Sequence, residues 1–135
     1  MEYKVLVVDD SVMMRTVIRN FIRNMPEFNA VAFAENGKKA LAELDKHKDL
    51  SVILLDIEMP EMDGLEFLRY AKLKSKAKIV ILSSVALSGS PYAAKARELG
   101  ADAIVTKPSG AVSLDLVDKR GDELTQVMKQ MVGLR

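Results

Sequence analysis

Residues 52–64, VILLDIEMPEMDG, place a carboxylate at the point where a strongly apolar segment ends. Asp56 directly follows that segment, and Asp9 and Asp10 directly follow another, YKVLVV at 3–8. A carboxylate beside a buried segment is costly unless a cation or hydrogen bonds compensate its charge. These three aspartates are therefore the first candidates for chemistry.

Two more apolar segments end in groups that can contact phosphoryl oxygens. KIVIL at 78–82 is followed by Ser83, and DAIVT at 102–106 is followed by Lys107 and then a proline. A hydroxyl can donate a hydrogen bond to a phosphoryl oxygen, and an ammonium can neutralise part of its charge. Four segments of the chain thus end in side chains that suit one kind of site.

The segments themselves predict an α/β fold. Five short apolar runs, rich in β-branched residues and apolar continuously, are typical of strands covered on both faces of a parallel sheet. They are 3–8, 30–34, 51–55, 78–82 and 102–106. Helical patterns separate them, so we expect a doubly wound five-stranded parallel sheet with right-handed crossovers.

The helices can be placed from their apolar spacing and from capping signals. We expect them over 12–25, over 37–47 after the cap Asn36, after Asp63, from Pro91 to Gly100 after the cap Ser90, and over 120–133. Residues 109–119 have no clear period and are predicted to be a connector. We therefore expect one domain, with a core over 1–108 and a connector plus a final amphipathic helix over 109–135.

Ligands of open parallel sheets bind at the carboxyl ends of the strands, where the winding reverses. Three carboxylates gathered there repel one another, and a hard dication such as Mg²⁺, which takes oxygen ligands, would offset that repulsion. A magnesium ion beside a lysine and a hydroxyl suits a phosphoryl group. Asp56 ends the central strand and is the candidate acceptor of a covalent aspartyl-phosphate, with Lys107 and Ser83 contacting the phosphoryl oxygens.

The bulk composition excludes several other classes of function. The chain has 135 residues and a formal net charge of +1, so neither a nucleic acid nor an anionic membrane is an expected partner. It has no cysteine, which excludes thiolate catalysis and disulfides and suits a cytoplasmic protein. No apolar run approaches the ~20 residues of a transmembrane helix, and the first residues do not resemble a signal peptide.

In combination, VLVVDDS, LLDIEMPEMDG, the hydroxyl after strand four and the Lys-Pro after strand five resemble the receiver domains of two-component response regulators. The resemblance implies a flavodoxin-like, CheY-like fold and a regulatory phosphoacceptor whose only chemistry is self-phosphorylation and autodephosphorylation.

The resemblance also implies a role for each site residue. Asp56 would take the phosphoryl group from the phosphohistidine of a CheA-like histidine kinase. Asp10, Asp56 and the backbone carbonyl of Glu58 would ligate Mg²⁺, with Asp9 acting through water. Lys107 would pair with the phosphoryl group, and Ser83 would move toward it and switch an output surface.

The segment from 83 to 101 and the KPSGAVSLDL that begins at Lys107 resemble the receiver half of chemotaxis methylesterases of the CheB type. This implies either the regulatory half of a methylesterase, with a C-terminal catalytic domain, or a free-standing regulator with a related surface. Within these residues there is no G-x-S-x-G motif for an esterase nucleophile. One departure is Ile104, where many family members carry an aromatic residue that reports phosphorylation.

Two other functions use similar groups. A magnesium-dependent phosphatase of the haloacid dehalogenase type would need D-x-D-x-T, but Glu58 occupies the position two after Asp56 and no threonine follows. A nucleotide-binding module would need a glycine-rich loop after the first strand, where the chain reads DDSVMMR without glycine. The phosphatase stays a remote alternative, and the nucleotide-binding module is discarded.

Overall fold

The structure is a computed structural model that describes residues 2–56, 64–83, 91–106 and 114–134. Its strands and helices alternate along the chain, as the apolar runs predict. The strands are β1 (Tyr3–Val8), β2 (Phe28–Ala34), β3 (Val52–Asp56), β4 (Lys78–Ser83) and β5 (Ala103–Thr106). The helices are α1 (Val12–Arg23), α2 (Gly37–Lys46), α3 (Gly64–Lys74), α4 (Pro91–Glu98) and α5 (Leu114–Met131).

All described strand pairs are parallel, and the sheet order is β2-β1-β3-β4-β5. Strand β3 is central, and each of its five residues is buried. Its side chains alternate between two cores, which explains why the strand is apolar continuously. Val52 and Leu54 face one core, whereas Ile53 and Leu55 face the other. The predicted doubly wound parallel sheet is confirmed.

Helices cover both faces of this sheet. The first core is closed by apolar residues of α1 and α5, namely Ile18, Ile22, Leu124 and Met128. The second is closed by residues of α2, α3 and α4, including Ala40, Leu44, Phe67, Leu68 and Ala96. Burying side chains of this size contributes about 1.5–3 kcal/mol each before the entropy of ordering them is counted.

The capping signals are borne out where the structure describes them. The Asn36 side chain accepts a hydrogen bond from the Lys39 N–H at 2.9 Å, so Asn36 caps α2 as expected. Helix α4 begins at Pro91, the position that suits proline because the first helical N–H needs no partner. The predicted caps Asp63 and Ser90 lie outside the described residues.

Several boundaries differ from the prediction by one or two residues, and the start of α5 differs by six. Strand β2 begins at Phe28, two residues before the expected 30–34, and Val31 is bulged: Val5 pairs with Ala30 but Leu6 pairs with Ala32. Helix α5 begins at Leu114 rather than at residue 120, so residues 114–119 are helical and the expected connector over 109–119 is too long. The division of the chain into 1–108 and 109–135 stays a prediction.

None of the helices in the described ranges combines the length and the apolar character that crossing a bilayer requires.

Candidate functional site

The register of the sheet brings the first acidic pair to the central strand. Val8 of β1 pairs with Leu55 of β3, so the residues that follow them, Asp9 and Asp56, are neighbours at the carboxyl edge of the sheet. The Asp9 N–H continues the pairing with β2 by donating to the Ala34 carbonyl at 3.0 Å. The backbone pairing of the strands thus fixes the positions of both residues at this edge.

Asp9, Asp10 and Asp56 form one cluster. One carboxylate oxygen from each can be chosen so that all three lie within 4.8 Å of one another. Asp9 is fully buried, Asp56 is 3% exposed, and Asp10 is exposed at the rim. The clustering expected from the strand ends is therefore confirmed.

The N-terminus of α1 holds the Asp9 carboxylate in place. Asp9 Oδ1 accepts a hydrogen bond from the Ser11 N–H at 2.8 Å. Ser11 caps α1, and its Oγ accepts from the Met14 N–H at 3.1 Å. A carboxylate near a helix N-terminus is stabilised by the unpaired N–H groups there.

A cation also borders the cluster. Arg15 lies one turn into α1, and its Nη1 donates to the Asp9 carbonyl oxygen at 2.6 Å. Arg15 is not among the site residues predicted from the sequence. Its only signal was a basic residue four positions after a helix cap, which is too common a pattern to indicate a contact.

The electrostatics of the cluster favour a divalent cation. Two unit charges at this separation repel by on the order of 3 kcal/mol at an effective dielectric constant of about 20. Oxygen atoms from three carboxylates are a donor set that suits a hard dication, and Mg²⁺ in proteins keeps several waters besides one or two carboxylates. The residues present fit such an ion.

The remaining predicted site residues are only partly described. Ser83 is the last residue of β4 and pairs with Thr106 of β5, so its backbone lies at the same carboxyl edge as the cluster, while its side chain is not described. Lys107 and Glu58 lie outside the described residues. Ile104, on β5, pairs with Ile81 and packs in part against the core of α2, α3 and α4.

An open parallel sheet with the order 2-1-3-4-5 defines the flavodoxin-like class of doubly wound domains, whose ligands bind at the carboxyl ends of the strands beside the switch point. Within that class, residues 5–117 match the family described as response regulator receiver domain. Because this match spans most of the chain, the protein belongs to the response regulator receiver family.

Several relatives are chemotaxis proteins. A protein-glutamate methylesterase/protein-glutamine glutaminase of Halalkalibacterium halodurans is 46% identical over 115 residues, which are 84% of this chain and 32% of that protein. This chain thus spans about a third of the length of such curated relatives.

Two solved structures resemble the chain over nearly its whole length. The crystal structure of the P1 domain of CheA3 in complex with CheY6 from R. sphaeroides contains a chain that is 55% identical, with a TM-score of 0.82 and 97% of each chain covered. The response regulator domain of Thermotoga maritima CheB is 32% identical, with a TM-score of 0.87, and the match covers 100% of this chain and 99% of that one.

Proposed function

We propose that this receiver domain accepts a phosphoryl group on Asp56 and transmits its presence to an output surface. The observation that carries the proposal is the cluster of Asp9, Asp10 and Asp56 at the carboxyl edge of the sheet. Asp56 is the proposed acceptor because it ends the central strand, is buried and lies in this cluster.

The proposed metal is Mg²⁺, ligated by Asp10, Asp56 and the backbone carbonyl of Glu58, with Asp9 acting through water. The hydrogen bond from the Ser11 N–H to Asp9 Oδ1 supports the indirect role, since one Asp9 oxygen is already engaged. When bound, the ion would neutralise part of the carboxylate and phosphoryl charge.

In the proposed reaction an Asp56 carboxylate oxygen attacks the phosphorus of a phosphohistidine. A new P–O bond forms, the P–N bond breaks, and its electron pair stays on the departing imidazole. Lys107 would neutralise charge on the transferred group, and the Ser83 hydroxyl would donate a hydrogen bond to one of its oxygens. The acyl phosphate on Asp56 is later hydrolysed, so the domain turns over its own phosphate and no other substrate.

The proposed phosphodonor is a CheA-like histidine kinase. The 55% identity to a chain in the CheA3 P1–CheY6 complex supports this partner, as do the chemotaxis relatives. Such a kinase reaction would take place in the cytoplasm.

The proposed context is the regulatory half of a chemotaxis methylesterase, which the 46% identity to a methylesterase supports. The alternative is a free-standing regulator, which the match to 97% of the R. sphaeroides chain supports. Reading the gene downstream of the Arg135 codon separates the two.

The haloacid dehalogenase phosphatase is a remote alternative. It is excluded if the purified protein fails to turn over p-nitrophenyl phosphate.

The test is labelling by acetyl phosphate with and without Mg²⁺, followed by intact mass. The wild-type chain should gain one phosphoryl group only in the presence of Mg²⁺, and Asp56→Asn should gain none. Asp45→Asn, at an exposed carboxylate of α2, is the matched control and should behave as wild type. Labelling of the Asp56→Asn variant at the wild-type level would show that Asp56 is not the acceptor.

A further inference from the structure

A groove runs along the free edge of the sheet, between α1 and β2. Three adjoining cavities of about 200, 320 and 190 Å³ form it. Arg15 and Phe33 line the first two, and Arg19 lines the first and third, so the cavities are direct neighbours. We call this the β2-edge groove.

The β2-edge groove is basic. Its cationic lining consists of Arg15, Arg19, Arg23 and Lys39. Glu35 is its one carboxylate, and the hydrogen bond from Lys39 holds the Glu35 pKa below its usual range, so this pair is neutral as a whole. Among the described residues, no carboxylate lies within ion-pair distance of Arg19 or Arg23. The whole chain has a formal net charge of only +1, so this groove is more basic than the chain as a whole.

The other wall of the groove is an edge strand. Within the described sheet, β2 pairs with β1 alone, so its outer backbone groups have no strand partner. Phe33 contributes a partly buried aromatic ring. An extended peptide suits such a wall because its own backbone N–H and C=O groups alternate in the same way. The bulge at Val31 interrupts a regular ladder, so side-chain contacts would provide most of the affinity.

The spacing of the arginines matches an extended chain. Arg15, Arg19 and Arg23 follow one another at four-residue steps along α1, which is ~6 Å per step. Side chains on one face of an extended segment recur every ~6.6 Å, twice the rise per residue of a strand. Alternate carboxylates of an extended segment would therefore meet successive arginines.

We propose that the β2-edge groove binds an extended acidic segment of a partner protein, with carboxylates at alternate positions opposite the arginines of α1. A peptide is favoured over a nucleic acid because the charge is a single short row on a nearly neutral chain, whereas nucleic-acid binding draws on many phosphate contacts. Arg15 also contacts the Asp9 carbonyl, so the segment would lie beside the acidic cluster without entering it.

The test uses a fluorescein-labelled peptide with glutamates at alternate positions, separated by threonine and valine. Its control is an isomer of the same composition with the glutamates contiguous. Anisotropy should show tighter binding of the alternating peptide, and amide shifts on titration should concentrate at 28–35. The double variant Arg19→Gln/Arg23→Gln should bind about fivefold more weakly or worse.

Lys74→Gln, which removes one exposed cation of α3 on the opposite face of the sheet, should change binding less than about twofold. Arg19 and Arg23 are exposed and outside the acidic cluster, so the double variant should keep its thermal midpoint and its phosphorylation by acetyl phosphate. Those two readouts confirm that it folds.

Four outcomes would overturn the proposal. The isomer with contiguous glutamates could bind equally well, or Lys74→Gln could weaken binding as much as the double variant. A single-stranded oligonucleotide could bind more tightly than the peptide and lose its binding in the double variant. Sedimentation could instead reveal self-association that the double variant abolishes, which would make a second copy of the chain the occupant.

Discussion

Lys72 and Asp102 join the end of α3 to the start of β5. Lys72 Nζ donates to Asp102 Oδ2 at 2.9 Å, and the same oxygen accepts from the Ile79 N–H at 2.8 Å. The Asp102 N–H in turn donates to the Ile79 carbonyl at 2.8 Å. The side chain and the backbone N–H of Asp102 both bond to Ile79. They extend the pairing of β4 with β5 by one residue beyond the pair Val80 and Ala103.

Asp102→Ala should lower the free energy of unfolding by about 1–3 kcal/mol, because it leaves the Ile79 N–H without its acceptor. Asp102→Asn should lower it by less, about 1 kcal/mol or under, since an amide oxygen can still accept that hydrogen bond. Urea denaturation measures both. Asp49→Ala, which removes an exposed ion pair with Lys4, is the control for a lost surface charge. Equal losses in the two Asp102 variants would show that the ion pair, not the backbone hydrogen bond, dominates.

A side chain at Gly100 should destabilise the fold. Its φ is +108°, and a Cβ there would lie 2.9 Å from Lys72 Cε and 3.1 Å from Lys72 Cγ. We expect Gly100→Ala to cost about 1–3 kcal/mol of unfolding free energy from backbone strain together with this contact. Gly133→Ala measures the cost of a positive φ without a steric contact, because Gly133 has a φ of +80° and open space around it.

A double-mutant cycle separates the two contributions at Gly100. Lys72→Ala removes the atoms that the new Cβ would contact, so Gly100→Ala should cost less in that background. Thermal and urea denaturation of the four proteins give the coupling energy. A coupling energy of zero would contradict the contact with Lys72 and leave backbone strain as the whole cost.

The sheet could be predicted from the sequence where strands are buried on both faces. The bounds of β1 are as predicted, and β3 differs by one residue at each end, because short runs rich in β-branched residues favour strands over buried helices. The start of β2 was missed because Asn29 is polar and the bulge at Val31 breaks the alternation. The first turns of α5 were missed because 114–119 has no clear apolar period, so the segment resembles a connector.

The acidic cluster could be predicted because it depends only on which residues follow the strands. Once the sheet order is given, Asp9 and Asp56 must be neighbours. The contact of Arg15 with the Asp9 carbonyl could not be predicted, since it depends on a side-chain conformation that links a helix to the preceding loop. The same is true of the carboxylate of Asp102, which bonds to a backbone group 23 residues away in sequence.

Mg²⁺ should raise the thermal midpoint of the wild-type chain. An ion that binds only the folded state stabilises it by about 2.7 kcal/mol at a hundredfold excess over its dissociation constant. Asp10→Asn should lose most of this gain by removing a proposed ligand. Without Mg²⁺ the same variant should be more stable than wild type by up to about 1 kcal/mol, because it removes one of three clustered charges at an exposed position.

Asp45→Asn is the control for the magnesium experiment and should respond to Mg²⁺ as the wild-type chain does. Differential scanning fluorimetry across a Mg²⁺ titration provides the measurement. An unchanged Mg²⁺ response in Asp10→Asn would remove Asp10 from the ligand set, whereas a response lost in both variants would indicate a general charge effect.

Ser83→Ala should separate phosphorylation from its transmission. Ser83 ends β4 and pairs with Thr106 at the end of β5, so a pull on its hydroxyl would act at the carboxyl end of β4, beside β5. The aromatic residue common in the family is replaced by Ile104, which packs in part against the core of α2, α3 and α4, so we expect residues 84–90 and α4 to carry most of the change. Coupling of this kind is usually about 1–3 kcal/mol.

Hydrogen exchange with and without beryllofluoride measures that transmission. In the wild-type chain, exchange should change over 84–100 and 103–106 as well as beside Asp56. Ser83→Ala should keep the change beside Asp56 and the gain of one phosphoryl group, while the change over 91–106 falls by about half or more. Ser51→Ala, just before β3 at the opposite edge of the sheet, should match wild type. Wild-type changes confined to 9–11 and 56–60 would contradict transmission of the signal to α4 and β5.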